Sequence, residues 1–194
     1  MPLTVECVIP TADGVFLVRD VSADTAVAQQ GAADAARIPG SRAGRGYGAA
    51  GGVLLVRCAD QLSRPRLRIE ILGAAPADQP PWHREPHTTL DLPSGRILVD
   101  AADNAVPAVM RDIDAGAGPG SYAVRLGHTG RAEMREAARR VREETLYASV
   151  EDTMTAWGSL AGLERYLVRL WPHRAAAGGI PVGSIGVRAR PRAI

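Results

Sequence analysis

The chain contains no lysine: all 23 basic residues among its 194 are arginine. That absence excludes a Schiff-base nucleophile, a pyridoxal-phosphate anchor, the lysine of a phosphate-binding P-loop and a lysine general base. Aromatic residues are also scarce, at 4% of a sequence that is 46% hydrophobic. The core must therefore be built mostly from Ala, Val and Leu, with the few Trp, Tyr and Phe marking its best-packed places. Only two cysteines occur, Cys7 and Cys58, each inside an apolar run. They read as buried thiols in a reducing cytoplasm rather than as a disulfide or metal pair. No run approaches the roughly 18 apolar residues that span a bilayer, and the opening MPLTVECVIP has no basic segment ahead of a long apolar one. A soluble, unsecreted, cytoplasmic protein without membrane contact is expected. The formal net charge of +2, with arginines dispersed among 21 acidic residues, lacks the electrostatic footprint of a dedicated nucleic-acid binder.

What is present is strand grammar. Thr4 to Ile9 alternates, with Val5, Cys7 and Ile9 on one side, and Val15-Phe16-Leu17-Val18 follows the turn formers Pro10, Asp13 and Gly14. Residues 22–37 are Ala-rich and read as a short surface helix. A Gly/Arg-rich loop over 39–48 then leads into Val53-Leu54-Leu55-Val56. The clearest strand is 66–72, where Leu67, Ile69 and Ile71 face one way and Arg66, Arg68 and Glu70 the other. Successive side chains leave opposite faces of a pleat, so this period of two predicts a half-buried antiparallel strand. Thr88 to Leu92 and Arg96 to Asp100 flank Pro93-Ser94-Gly95 and read as a hairpin. Ser121 to Leu126 and Glu164 to Pro172 are further strands. Arg131 to Tyr147 departs from this pattern. Met134, Ala137, Ala138, Val141 and Leu146 recur near helical spacing, and Glu136 and Arg140 form an i,i+4 pair, predicting an amphipathic helix of about four turns. Seven or eight short strands with one helix late in the chain predict a mainly β protein, an antiparallel β-sandwich. A single domain over 1–172 is expected, followed by an Ala/Gly/Arg-rich tail over 173–194.

The motifs that carry chemistry fail on context. The glycines of GAGPGSYAVRL precede a strand, whereas a phosphate loop precedes a helix whose free N–H groups meet the anion. His83 and His87 have the spacing of a helical metal pair, but Pro86 disfavours the α conformation at Glu85 between them. Cys58 with His128, or a serine with His83, lacks any surrounding nucleophile motif. The carboxylate pairs Asp100/Asp103 and Asp112/Asp114 lie in polar connections where turn capping is the ordinary role. No cofactor is expected and no catalytic residue is assigned.

Several phrases taken together carry a resemblance: Val15 to Asp20, Gly52 to Arg57, Leu92 to Ile97, Gly118 to Arg125 and Glu164 to Pro172. In this order they resemble a group of uncharacterised actinobacterial proteins distantly similar to competence protein J, a bacterial inhibitor of a DNA-entry nuclease. The resemblance spans most of residues 3–172. It implies an all-β domain that binds a protein and has no catalytic residues to carry over. One departure concerns charge: a protein that plugs a basic nuclease cleft should be acidic, and this chain is slightly basic.

The functional expectation is a non-enzymatic, cytoplasmic β-sandwich that binds a protein partner as an inhibitor or immunity-type factor, with Tyr47, Trp82 and Trp157 as candidate anchors. The alternative is a small-molecule, carbohydrate or metal-binding sandwich, or a hydrolase, whose pocket joins the 82–91 loop, with His83 and His87, to the 100–114 loop.

Overall fold

The computed structural model describes residues 2–23, 25–35, 46–77, 82–84, 87–102 and 108–173. Eleven strands and three helices follow one another as β1 (Leu3–Val8), β2 (Val15–Asp20), α1 (Thr25–Ala35), β3 (Tyr47–Ala50), β4 (Val53–Arg57), β5 (Arg66–Ile71), β6 (His83–Arg84), β7 (Thr88–Leu92), β8 (Arg96–Ala101), β9 (Met110–Asp114), β10 (Gly120–Thr129), α2 (Arg131–Glu144), α3 (Val150–Gly158) and β11 (Arg165–Pro172). They form two sheets. The first has the order β1-β5-β11-β10-β6, with β7 also pairing β10; the second has the order β3-β4-β2-β8-β9. Every pairing is antiparallel except β5 with β11, which is parallel from Arg66↔Arg165 to Ile71↔Leu170. The sandwich expected from the strand pattern is therefore present.

The period of two decides which side chains meet between the sheets. Leu67, Ile69 and Ile71 of β5 join Tyr166, Val168 and Leu170 of β11 and Tyr122, Val124 and Leu126 of β10 on one inner face. Phe16 and Val18, Leu54 and Val56, and Ile97 and Val99 supply the other. Phe16 and Tyr166 meet edge to face across the two layers, with ring centroids 5.3 Å apart. Each fully buried aliphatic or aromatic side chain of this kind is worth about 1.5–3 kcal/mol relative to exposure. The continuous apolar runs of β2 and β4 have a separate cause: Val15, Leu17, Val53 and Leu55 point away from the sandwich core and are covered by Ala32 of α1. The helix expected over 22–37 thus has a definite task, closing the outer face of the second sheet.

One expected pairing is overturned. The strands around Pro93-Ser94-Gly95 do not form a hairpin: β7 pairs β10 in the first sheet, and β8 pairs β2 and β9 in the second. The connection is an arch between sheets. Its tip is held by the Asp20 carboxylate, which accepts the Ser94 N–H at 3.0 Å and the Ser94 hydroxyl at 2.7 Å. Gly95 has φ 69°, and a Cβ there would lie 2.6 Å from the carbonyl carbon of Gly118. The arch therefore packs against the turn that launches β10, a closeness that only glycine permits. That turn, Gly116 to Gly120, leads directly into a strand, as its sequence context requires.

The late helix is α2, and it buries Met134, Ala137, Ala138 and Val141 as expected. Its end differs from expectation. The helix stops at Glu144, so Leu146 lies beyond it in a turn, 69% exposed rather than on the buried stripe. The surface charges also pair differently: Arg139, rather than Arg140, bridges Glu136 at 2.7 Å and Glu143 at 2.6 Å. A second helix, α3, follows where the strand pattern gave no expectation.

Candidate protein-docking surface

The expected site residues do not converge. Tyr47 begins β3 and is only 5% exposed, in the core between the sheets, so it offers a partner no surface. Trp82 is half-buried ahead of β6. Trp157, on α3, lies half-buried beneath the Arg142 guanidinium, 5.1 Å from its ring centroid. His83 and His87 do not share a helix. β6 places His83 opposite His128 of β10, while His87 stands exposed ahead of β7. Among the described residues no group of three or more His, Cys, Asp or Glu gathers as metal ligands would. The 39–45 part of the Gly/Arg loop, residues 103–107 and the tail from 174 lie outside the described residues.

Of the carboxylates singled out by spacing, the three among the described residues have partners. Asp100 holds Arg19 at 2.8 Å, Asp112 holds Arg96 at 2.6 Å, and the Asp114 carboxylate accepts the Gly116 N–H at 2.8 Å. A cavity of about 740 Å³ opens at the strand ends, lined by Leu3, Ile71, Ala115 and Pro172. Asp114 is its sole charged lining residue, and that carboxylate already caps the turn. No described cavity joins the 82–91 loop to the 100–114 loop.

The densest polar network is structural. Glu164, fully buried, accepts the Ala59 N–H at 2.9 Å, the Ser63 hydroxyl at 2.8 Å and the Tyr166 hydroxyl at 2.6 Å. Arg131 donates to Tyr166 Oη and to the Arg57 carbonyl, both at 2.7 Å, and lies 3.8 Å from Glu164. A buried carboxylate with its lone pairs so filled is stable where an isolated one would not be. Burial, and then the Glu164 charge, push the neighbouring Cys58 thiol well above its ordinary value. A raised pKa favours the protonated thiol over the nucleophilic thiolate. The network clamps the first residue of α2 to β4 and β11. Further along, Arg142 reaches back to Asp60 at 2.5 Å while its other face covers Trp157 of α3.

So anchored, the α2–α3 elbow carries the most exposed large apolar side chains among the described residues. Leu146, Tyr147, Val150 and Met154 are 69%, 95%, 77% and 70% exposed, and α3 buries no residue at all. α3 is nonetheless a well-made helix: the Ser149 hydroxyl accepts the Asp152 N–H at 3.1 Å, and Glu151 and Asp152 complement its N-terminal dipole. The motif Ser149-x-x-Asp152 was the sequence signal for its start. Four large apolar side chains left in water within nine residues are unusual for a surface where such residues are ordinarily scattered singly.

The class these features define is a two-sheet β-sandwich with a helical elbow inserted between its last two strands. No family model and no curated protein matches the sequence. Among solved structures, the chain is similar to one described as crocagin biosynthetic gene J, at TM-score 0.50 and 16% identity, covering 90% of this chain and 99% of that one. It also aligns with ComJ from Bacillus subtilis, described as an inhibitor of the DNA degrading activity of NucA. There the TM-score is 0.48 and the identity 9%, over 89% of this chain and 98% of that one. At 16% identity the first likeness is one of fold.

Proposed function

We propose that this protein is a non-enzymatic β-sandwich that works by binding another protein, and that it is an inhibitor or immunity-type factor. The observation that carries the proposal is the exposed apolar surface of Leu146, Tyr147, Val150 and Met154 on a rigidly anchored elbow. Large apolar side chains held in water at one place mark interaction sites, and aromatic residues with apolar neighbours dominate binding energy at such sites. Trp157, beside them on α3, extends the surface. The inhibitor side of the reading follows the resemblance in strand phrases. The free thiols Cys7 and Cys58 support action in the cytoplasm.

The test is purification of the tagged full chain from its own host under mild lysis, with intact-mass analysis of what elutes with it. A single protein at fixed stoichiometry, whose own activity falls when the two purified proteins are recombined, is the expected result. A chain that elutes alone carrying a stoichiometric metal or small molecule, lost in the His87→Ala variant, would overturn the proposal in favour of a ligand-binding pocket.

A further inference from the structure

Resting on the protein-binding reading above, we infer that the partner surface is an apolar groove with a basic rim, and that the α2–α3 elbow enters it as an acidic, helical plug. The chain as a whole is slightly basic, but its charge is not evenly placed. Residues 143–158 contain Glu143, Glu144, Glu151 and Asp152 and no Arg, Lys or His, a local formal charge of −4 within a total of +2. All four are exposed. Of the arginines that border them, Arg139 is engaged with Glu136 and Glu143 and Arg142 with Asp60, while Arg140 is exposed one helical turn before Glu144. Among the described residues Glu144, Glu151 and Asp152 take no ion pair.

Folding accounts for only part of this placement. Glu151 and Asp152 suit the first turn of α3, but Glu143 and Glu144 end α2, where the helix dipole favours cations and opposes carboxylates. Glu143 recovers some of that through Arg139, in the weaker Arg-before-Glu order. Glu144 sits there against the helix dipole, four residues after the exposed Arg140. Charge placed against local stability around an apolar surface is what complementarity to a partner would select.

The same charge discriminates between occupants. A second copy of this chain, docked elbow to elbow about a two-fold axis, would set both acidic clusters against each other, and like charges across an interface oppose association. A basic-rimmed groove meets the acids favourably and covers the apolar residues together. Val150 and Met154, four residues apart, lie on one face of α3, as the anchors of helical segments do in grooves, and Tyr147 stands in the turn before it.

The experiment places a photo-reactive phenylalanine analogue singly at Tyr147, at Met154 and, as control, at Arg68 on the distant outer strand face, in the full chain expressed in its host. The protein captured is then purified and its affinity measured against salt for the wild type, for Met154→Glu, and for the combined Glu144→Gln, Glu151→Gln and Asp152→Asn variant, each checked for unchanged melting temperature. Expected are cross-links to one other protein from 147 and 154 but not from 68. The Met154→Glu variant should lose most binding. Neutralising the three carboxylates should weaken binding about tenfold, mainly through slower association, and flatten the salt dependence. Affinity indifferent to both salt and neutralisation would overturn the basic rim and leave the protein-binding reading standing. Cross-links joining two copies of this chain would overturn the choice of occupant. Absence of any cross-linked or co-purified protein would overturn the inference together with the reading on which it rests.

Discussion

Asp20 is fully buried at the end of β2, yet it is held as a carboxylate. Burial by itself raises its pKa, and hydrogen bonds from the N–H and hydroxyl groups of Ser22 and Ser94 outweigh that, so the folded value lies below the ordinary 3.8. A depressed carboxyl stabilises the fold above its unfolded pKa, and that contribution is lost as pH falls through the folded one. Asp20→Asn should therefore destabilise the protein by about 2–4 kcal/mol near neutrality. The difference from wild type should narrow progressively below about pH 4, where wild-type Asp20 itself becomes protonated. Denaturant titrations across that range check it; a pH-independent difference would mean that the loss comes from packing alone. Gly130 makes a second prediction at this scale. It has φ 77° ahead of α2, and a Cβ there would stand 2.2 Å from the Leu163 carbonyl oxygen. Gly130→Ala should cost about 2 kcal/mol or more, since strained backbone and a backbone clash add, and thermal unfolding reads it directly.

At the scale of elements, α2 and α3 contrast. Met134 is 1% exposed on α2 and Met154 70% exposed on α3. Met134→Ala should cost about 2–5 kcal/mol, whereas Met154→Ala should change stability by less than about 0.5 kcal/mol. Equal losses would show that α3 packs on the sandwich and that its apolar face is not free for docking. The two helices also mark how far periodicity can be read. The 3.6-residue recurrence over α2 identified its buried face correctly through Val141. It misassigned Leu146 because a hydrophobic pattern does not register where a helix stops, and Thr145 ends this one by donating from its N–H and hydroxyl to the Val141 carbonyl, at 2.9 and 2.6 Å. The β7–β8 arch is the strand counterpart. Pro-Ser-Gly signals a reversal of direction, but whether the strands pair or part depended on Asp20 and Gly118, distant residues that receive the turn.

For the whole molecule, β11 is the strand that ties distant segments of the chain together. It is buried on both faces over most of its length and lies between β10, its antiparallel neighbour, and β5, nearly a hundred residues earlier and parallel to it. The last backbone bond among the described residues is from the His173 N–H to the Ser121 carbonyl, at 2.8 Å. A chain ending at His173 retains every strand of both sheets, and it should unfold cooperatively with a melting temperature within about 4 °C of the full chain, a loss below about 1 kcal/mol. Broad or non-cooperative unfolding would show that residues 174–194 complete the domain.

The sequence by itself determined the mainly β class, the faces of β1, β5, β10 and β11, the buried stripe of α2 and the strand that follows the glycine-rich turn. Each of these follows from local periodicity or from the element that comes next in the chain. Only the tertiary structure decided that β7 and β8 belong to different sheets, that Tyr47 is core and not surface, and that β5 runs parallel to β11. It alone decided that the acidic charge and exposed apolar residues of 143–158 come together on an anchored elbow. Those outcomes depend on which distant residues receive a side chain or a strand edge: Asp20 for Ser94, Glu164 for Ala59 and Ser63, Asp60 for Arg142. Local pattern says which faces are apolar, whereas burial is a property of the partner that covers them.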